Sequence, residues 1–301
     1  MHILGTALLM ALAAGAPAQE RTARAPETDQ TVPVSRGTRL TIDNRTGEVL
    51  VRTWDKDALR VQARHAARTR VNVRTSPAGV RVSASSQTGP AGSVDYDITI
   101  PAWMPMKIEG HFIYVMVEGA QGEVAIETVR GDVVLKGGAG AISVQTIQGE
   151  IVVEGGRGKI NLSSVNEGIK VTGAAGEITA ETTNGSISLA RIESTSVSVA
   201  TVNGDLVYDG TLADNGRYRF NTHNGDITVT VPETANATFS VRTYNGDFAA
   251  SFPVKGPEAS ELRRGRRATY TLGNGSADVQ LESFGGAIRL RRPGPAQSGR
   301  Q

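Results

Sequence analysis

A nine-residue repeat runs through the second half of this 301-residue chain. Glycine or a substitute recurs as an anchor, apolar residues follow two and four places later, and a small residue follows six places later. The small residue is alternately Thr or Ser and Gly, so the full unit is eighteen residues with two short strands. This pattern is typical of a β-solenoid. The anchors are Gly122, Gly131, Gly140, Gly149, Gly158, Glu167, Gly176 and Gly185.

The repeat continues on both sides of this region. Later anchors occur in the pairs Thr195/Gly204, Gly216/Gly225, Ala237/Gly246 and Ala277/Gly286, and earlier ones in Thr38/Gly47 and Met104/Ile113. We therefore predict an all-β, single-domain β-solenoid, or β-helix, of two-strand coils of about 18–21 residues, with an irregular N-terminal capping region. We expect the coils to stack in chain order. The corner glycines and the Asn-Gly corners are expected to supply positive φ values.

The rest of the chain divides by composition. An apolar run from Ile3 to Ala14, followed by Ala16-Pro17-Ala18, predicts a signal peptide over 1–18 that is too short to span a bilayer. We predict a disordered spacer at 19–37, irregular β coils and a cap at 38–103, and regular solenoid at 104–290. An exposed insertion is expected at 253–268 and a disordered tail at 291–301. The mature chain is expected to be periplasmic, at the cell surface or secreted.

The composition of the chain excludes several kinds of functional site. The chain has no cysteine, which excludes disulfides, thiolate nucleophiles and zinc–thiolate sites. Its net charge of +2 gives no general affinity for polyanions, so no nucleic-acid partner is expected. No segment outside the signal peptide is apolar enough to predict a transmembrane span. The 39% hydrophobic and 5% aromatic content suits a thin core of small side chains.

Several segments resemble a known family. They are TIDNRTGEVLVRTWDKD from Thr41, DYDITIPAWMPMKIE from Asp95, and TTNGSISL from Thr182. These resemble the bacterial putative-adhesin family, a domain of unknown function, over about residues 38–290. Ile113 departs from the pattern, since Gly is expected there. The resemblance implies an exported β-solenoid with a surface or adhesive role, and it supplies no catalytic residues.

Calcium-binding nonapeptides, G-G-x-G-x-D, share this nine-residue period. At the two Gly-Gly-x-Gly sites the ligand position holds Ile142 or Ile160, which cannot bind a hard cation. We therefore predict no metal site and no cofactor. A column of acidic residues follows the corners, and we expect it to cap turn amides. Weak divalent binding and a hydrolytic carboxylate pair remain alternatives. The column is Asp132, Glu150, Asp205, Asp226 and Asp247, the last three on successive coils.

No catalytic residue is predicted. The mature chain keeps His65, His111 and His223, and contains no G-x-S-x-G, H-E-x-x-H or P-loop motif. The prediction is an exported, non-enzymatic, adhesin-like interaction or scaffold module at the bacterial envelope. Its partner would be an envelope or surface protein or a polysaccharide. The alternative is a carbohydrate-active enzyme, a polysaccharide lyase or hydrolase on a β-helix, which requires a buried carboxylate pair in a groove.

Two surfaces are candidates for binding. In the segment from Trp103 to Met116, the large apolar residues Phe112, Tyr114 and Met116 stand where other coils hold mainly polar or smaller residues. Together with Trp103 they form the first candidate, an apolar partner patch. Either the N-terminal strands cover this patch as a cap, or it serves a partner or self-association. The second candidate is a corner column holding His223, Tyr244 and Phe284, which could stack on sugar rings or simply pack the corner. Earlier coils hold Val129, Ile147, Val165, Thr183 and Val202 in that column.

Overall fold

The computed structural model describes residues 28–258 and 265–294, in which all regular elements are β-strands. The all-β class and the solenoid architecture are confirmed. The predicted signal peptide at 1–18 lies outside the described residues, as do 19–27 and 295–301. Within the described ranges, no helix is long and apolar enough to cross a membrane.

The strands are numbered in chain order. The N-terminal ones are β1 (Thr28–Pro33), β2 (Leu40–Trp54), β3 (Ala58–His65), β4 (Thr69–Ser76), β5 (Gly79–Ser86), β6 (Val94–Pro101) and β7 (Met106–Glu118). The central ones are β8 (Val124–Arg130), β9 (Val133–Lys136), β10 (Ala139–Gln148), β11 (Ile151–Glu154), β12 (Arg157–Ser163), β13 (Ile169–Thr172), β14 (Ala175–Asn184), β15 (Ile187–Asn203) and β16 (Leu206–Gly210). The C-terminal ones are β17 (Arg217–Asn224), β18 (Ile227–Thr230), β19 (Ala237–Thr243), β20 (Phe248–Ala250), β21 (Arg267–Leu272), β22 (Ala277–Ser283) and β23 (Ile288–Arg291).

Each central coil contributes one strand to each of two walls. Strand β10 pairs in parallel with β8 and β12 in the first wall, and β11 pairs in parallel with β9 and β13 in the second. The register places Ile142 between Val124 and Ile160. These residues are at most 1% exposed, so the apolar positions two and four places after each anchor form the core, as the repeat predicts. The long strands β2, β7 and β15 pass through both walls.

The corner glycines are needed mainly for close approach between coils. A Cβ on Gly149 would overlap the carbonyl of Gly131 in the preceding coil. The expected positive φ is found at Gly131, where φ is 124°. The prediction of a positive φ is wrong for Gly149, whose φ lies outside the left-handed region. The Asn residues of the Asn-Gly corners also lack positive φ; among described non-glycine residues only Arg191 and Asn215 have it.

The C-terminal coils do not stack in chain order. Strand β22 lies between β17 and β19, and β23 lies between β18 and β20, so the last coil in the sequence is inserted before the one that precedes it. The prediction that Asp205, Asp226 and Asp247 lie on successive coils is therefore wrong for Asp247. Ala287 stands between Asp226 and Asp247. Because each coil carries the same strand register, the repeat by itself does not determine the order in which these coils stack.

Antiparallel strands end the rod on both sides. At the C-terminal end β21 pairs antiparallel with β19, and its first two residues, Arg267 and Ala268, are the last two of the insertion predicted at 253–268. At the N-terminal end β2 lies between β7 and the β5–β6 coil, and β3 and β4 pair antiparallel with β6 and β5. The predicted spacer is wrong over Thr28–Pro33, because β1 pairs with β3. The predicted tail is wrong at Arg291, which ends β23.

Candidate interaction surface

The corner that joins the first wall to the second is built on buried hydroxyls. Thr182, Thr201 and Thr222 donate hydrogen bonds of 3.0 Å from Oγ1 to the carbonyls of Glu167, Gly185 and Gly204. Each acceptor lies in the corner of the preceding coil, so the hydroxyls fasten one coil to the next. Because successive side chains of a strand point to opposite faces, the residue that follows each hydroxyl residue points outward.

These outward residues form a continuous exposed row, which we call the corner ridge. Six large hydrophobic side chains are exposed in the described part of the chain, and five of them lie here, between 39% and 46% exposed. The sixth, Phe112, is in the neighbouring column. Exposed apolar groups on this protein are thus aligned rather than scattered. The corner ridge comprises, in spatial order, Val129, Ile147, Val165, Thr183, Val202, His223, Phe284 and Tyr244.

Beside the corner ridge runs a row of side-chain amides, which we call the amide ladder. It consists of Asn166, Asn184, Asn203 and Asn224, all exposed. The Nδ2 atom of each later residue donates to Oδ1 of the one before it, at 3.2, 2.8 and 2.8 Å. One N–H of each donating amide therefore remains for solvent or a ligand. Sequence reasoning treated these residues only as turn formers; their recurrence one place after the corner ridge was the available signal.

The acidic column lies two places beyond the amide ladder, and three of its five members, Asp132, Asp205 and Asp226, cap backbone amides as predicted. Asp132 Oδ1 accepts the N–H of Glu150 at 2.9 Å, and Asp205 Oδ1 accepts that of Asp226 at 2.8 Å. Asp226 accepts the N–H of Ala287 at 2.8 Å and forms an ion pair with Arg289. The hydrogen bond from Arg289, followed by that from the backbone, lowers the pKa of Asp226. No group of three metal-ligating side chains occurs in the described ranges.

The structure brings the predicted carbohydrate edge together, but not as a platform for sugars. The rings of His223 and Phe284 stack at 4.6 Å and 7°, and those of Phe284 and Tyr244 lie 4.9 Å apart at 34°. The guanidinium of Arg242 sits 4.9 Å from the Tyr244 ring centre. Phe284 therefore lies between the other two rings, and all three residues line an adjacent depression of about 370 Å³.

The predicted partner patch is divided between different parts of one coil. Trp103 lies in the turn before β7, packed partly against the core and 5.5 Å from the Arg36 guanidinium. Phe112 lies at the opposite corner, 51% exposed, beneath Arg130. Tyr114 and Met116 are half-buried on the outer face of the second wall. The alternative in which the N-terminal strands fold over this patch is not what the structure shows, because β2 pairs edge to edge with β7.

A depression of about 430 Å³ near the N-terminal end contains the side chains that come nearest to the carboxylate pair required by the enzyme alternative. It is lined by Asp43, Glu109 and His111, among others. Asp43 forms an ion pair with Arg81, and Lys107 contacts Glu109 at 2.6 Å. The hydrogen bond from Lys107 is the main cause that lowers the pKa of Glu109. The enzyme alternative requires a buried carboxylate pair, whereas Asp43 and Glu109 are half-buried and His111 is exposed.

Stacked two-strand coils with an exposed linear corner define this chain as a β-solenoid repeat protein. It belongs to the Toastrack DUF4097 family, whose sequence profile matches residues 37–291. No curated protein matches the chain.

Solved structures that match the chain share little sequence with it. A candidate cell adhesion protein from Clostridium sporogenes is 10% identical, with 88% of this chain and 99% of that chain covered and a TM-score of 0.22. A candidate adhesin from Parabacteroides distasonis is 10% identical, with 87% and 96% covered and a TM-score of 0.38. One from Parabacteroides merdae is 10% identical, with 87% and 95% covered and a TM-score of 0.35.

Proposed function

We propose that this chain is an exported, non-enzymatic β-solenoid that acts as an adhesin-like interaction or scaffold module at the bacterial envelope. The corner ridge is the observation that carries the proposal. Single exposed apolar residues are ordinary on soluble proteins, whereas contiguous apolar surfaces mark interaction sites. Five exposed hydrophobic side chains aligned in one column are therefore best explained as a binding surface.

The architecture suits a scaffold role. The hydroxyls of Thr182, Thr201 and Thr222 bond to the coil before them, and the ladder amides bond to one another. These side chains are therefore held at the strand spacing of about 4.8 Å. A rod of this kind presents the same side-chain position many times along a line. The apolar run from Ile3 to Ala14 and its cleavage motif support export.

Photo-cross-linking in a bacterial host tests this proposal. A photoreactive amino acid replaces Val165 or Val202 on the corner ridge, or Val152 on the outer face of the second wall as the matched control. We expect the chain in the envelope or secreted fraction, and expect cross-linked adducts from the two ridge positions but not from Val152.

Two results would contradict it. Equal cross-linking from Val152 would show that the corner ridge has no special role, and retention in the cytoplasm would exclude export. Release of reducing sugar from polysaccharides by the purified chain would favour the enzyme alternative instead.

A further inference from the structure

We propose that the corner ridge and the amide ladder together bind an uncharged, linear polysaccharide that lies along the axis of the rod. This inference rests on the proposed function and names its partner. The binding track is the stretch from Val129 to Val202 with the adjoining ladder. Its ridge side chains are aliphatic apart from Thr183, and its ladder side chains are amides. It is not the aromatic end, whose rings already contact one another and Arg242.

The shape of the surface favours a linear polymer. The corner ridge is one side chain wide and runs through many coils. A standard protein interface buries about 800 Å² per partner and involves about 20–30 residues on each side. Such a patch is broad, whereas this track is narrow, and a chain-like ligand can contact its full length without meeting the two walls.

An extended peptide is a poor match for the same track. Peptides usually bind β-proteins by pairing their backbone with a free strand edge. At this corner the backbone groups are already paired between coils. The N–H of Asn184 donates to the carbonyl of Val165 at 2.8 Å, and that of Asn166 donates to Ile147 at 3.1 Å. The track therefore offers side chains and no backbone edge.

The side-chain chemistry matches a sugar polymer. A linear glycan has apolar C–H surfaces and hydroxyl groups along its edges. Valine and isoleucine of the corner ridge can contact the C–H surface, while the remaining amide hydrogens and oxygen lone pairs of the ladder can bond to hydroxyls. Because each ladder amide is oriented by its neighbour, little side-chain freedom is lost on binding.

The charges beside the track select against anionic polymers. The exposed carboxylates of Asp132 and Asp205 stand two places beyond the ladder column, one near each end of the track. They would repel uronate, sulfate or phosphate groups of a polymer on the track. An uncharged glycan meets no such penalty.

Affinity electrophoresis of the mature chain is the test, in native gels containing hydroxyethylcellulose, mixed-linkage β-glucan or dextran, with polygalacturonate as the anionic polymer. The variants are Val165→Ser with Val202→Ser, and Asn184→Ala with Asn203→Ala. Val134→Ser with Val152→Ser, on the outer face of the second wall, is the matched control. Melting temperatures establish whether each variant is folded. If the ladder variant does not fold, the ridge variant alone decides the outcome.

We expect at least one neutral polymer to retard the wild type and the control equally. The ridge and ladder variants should each weaken that binding by at least about tenfold. Absence of retardation by every neutral polymer, stronger retardation by polygalacturonate, or equal loss in the control would overturn the inference. If ridge cross-links instead identify an envelope protein, the proposed function stands and the polysaccharide inference fails.

Discussion

The side chain of Ile113 fills the space directly above Gly110 at the corner of β7. A Cβ on Gly110 would overlap Ile113 Cδ1 and, less severely, the backbone carbonyl oxygen of Asn44. In register, Gly110 occupies the position that holds Thr128 in the next coil, and the neighbouring Gly47 aligns with Ile113. Compared with the neighbouring coils, this corner therefore has glycine where Thr128 stands and isoleucine where glycine stands. The absence of the expected glycine at Ile113 is compensated within the same turn, and the Ile113 side chain is 1% exposed.

This exchange predicts strong coupling between the two positions. Gly110→Thr alone should destabilise the protein by about 1–3 kcal/mol through overpacking. Ile113→Gly alone should cost about 2–5 kcal/mol through loss of a buried side chain. The double variant restores the usual Thr and Gly arrangement, so its loss should be clearly smaller than the sum. Urea unfolding of the four proteins measures this coupling, and simple additivity would show that Ile113 does not use the space above Gly110.

Close approach between coils gives a second prediction. Gly149→Ala places a Cβ against the Gly131 carbonyl and should cost about 1–3 kcal/mol. Gly92→Ala is the matched control, since its Cβ would meet only Thr69 Oγ1, at an ordinary 3.7 Å. Thermal unfolding compares the two variants. Equal melting temperatures would mean that the coils at Gly149 can separate without cost.

The repeat could predict these corners because each coil repeats the same inward and outward positions. It could not predict the order of the last coils. Strands β19 and β22 both pair in the same register with their neighbours, so the local pattern is satisfied by either stacking order. The order depends on long-range packing, in which β21 covers β19 as an antiparallel strand.

The inserted last coil predicts an unusual order of hydrogen-exchange protection. Strand β23 lies between β18 and β20, whereas the described pairing of β20 is with β23 alone. Amides of 288–290 should therefore exchange more slowly than those of 248–250, although they lie nearer the C-terminus. Hydrogen exchange followed by mass spectrometry compares these segments. The reverse order of protection would indicate that the coils stack as they occur in the sequence.

Acid should weaken the corner at Asp226. The hydrogen bonds from Arg289 and from the backbone of Ala287 lower its pKa below the ordinary value of 3.8. Because the folded-state pKa is below the unfolded one, the ionised carboxylate contributes stability above pH 3.8, and this is lost as pH falls through the folded value. Asp226→Asn should lower the melting temperature at neutral pH and flatten its decline in acid.

The control for that measurement is Asp247→Asn, the same change at the equivalent corner of the β19–β20 coil. It should leave the acid dependence of the melting temperature close to that of the wild type. If Asp226→Asn declines in acid as steeply as the wild type, the ion pair with Arg289 does not contribute to acid sensitivity.

The candidate site was only partly accessible from the sequence. The column containing His223, Phe284 and Tyr244 follows directly from the repeat and is confirmed as one cluster. What the sequence could not give was ring orientation, which depends on packing between side chains of different coils. The four residues of the predicted partner patch, by contrast, do not form one surface. Trp103 and Phe112 are close in the sequence, but a wall strand separates them in space.

The position of β23 determines how the rod would respond to mechanical load. A pull on the chain beyond Arg291 enters between two coils and acts on the parallel ladders to β18 and β20 at once. Both rows of hydrogen bonds would have to shear together, whereas an outermost coil could be peeled away one bond at a time. At the other end the first described strand, β1, pairs with β3 alone and would be loaded before β2. Tension applied at the C-terminal end of this rod would thus be borne by interior coils, and tension at the N-terminal end would not.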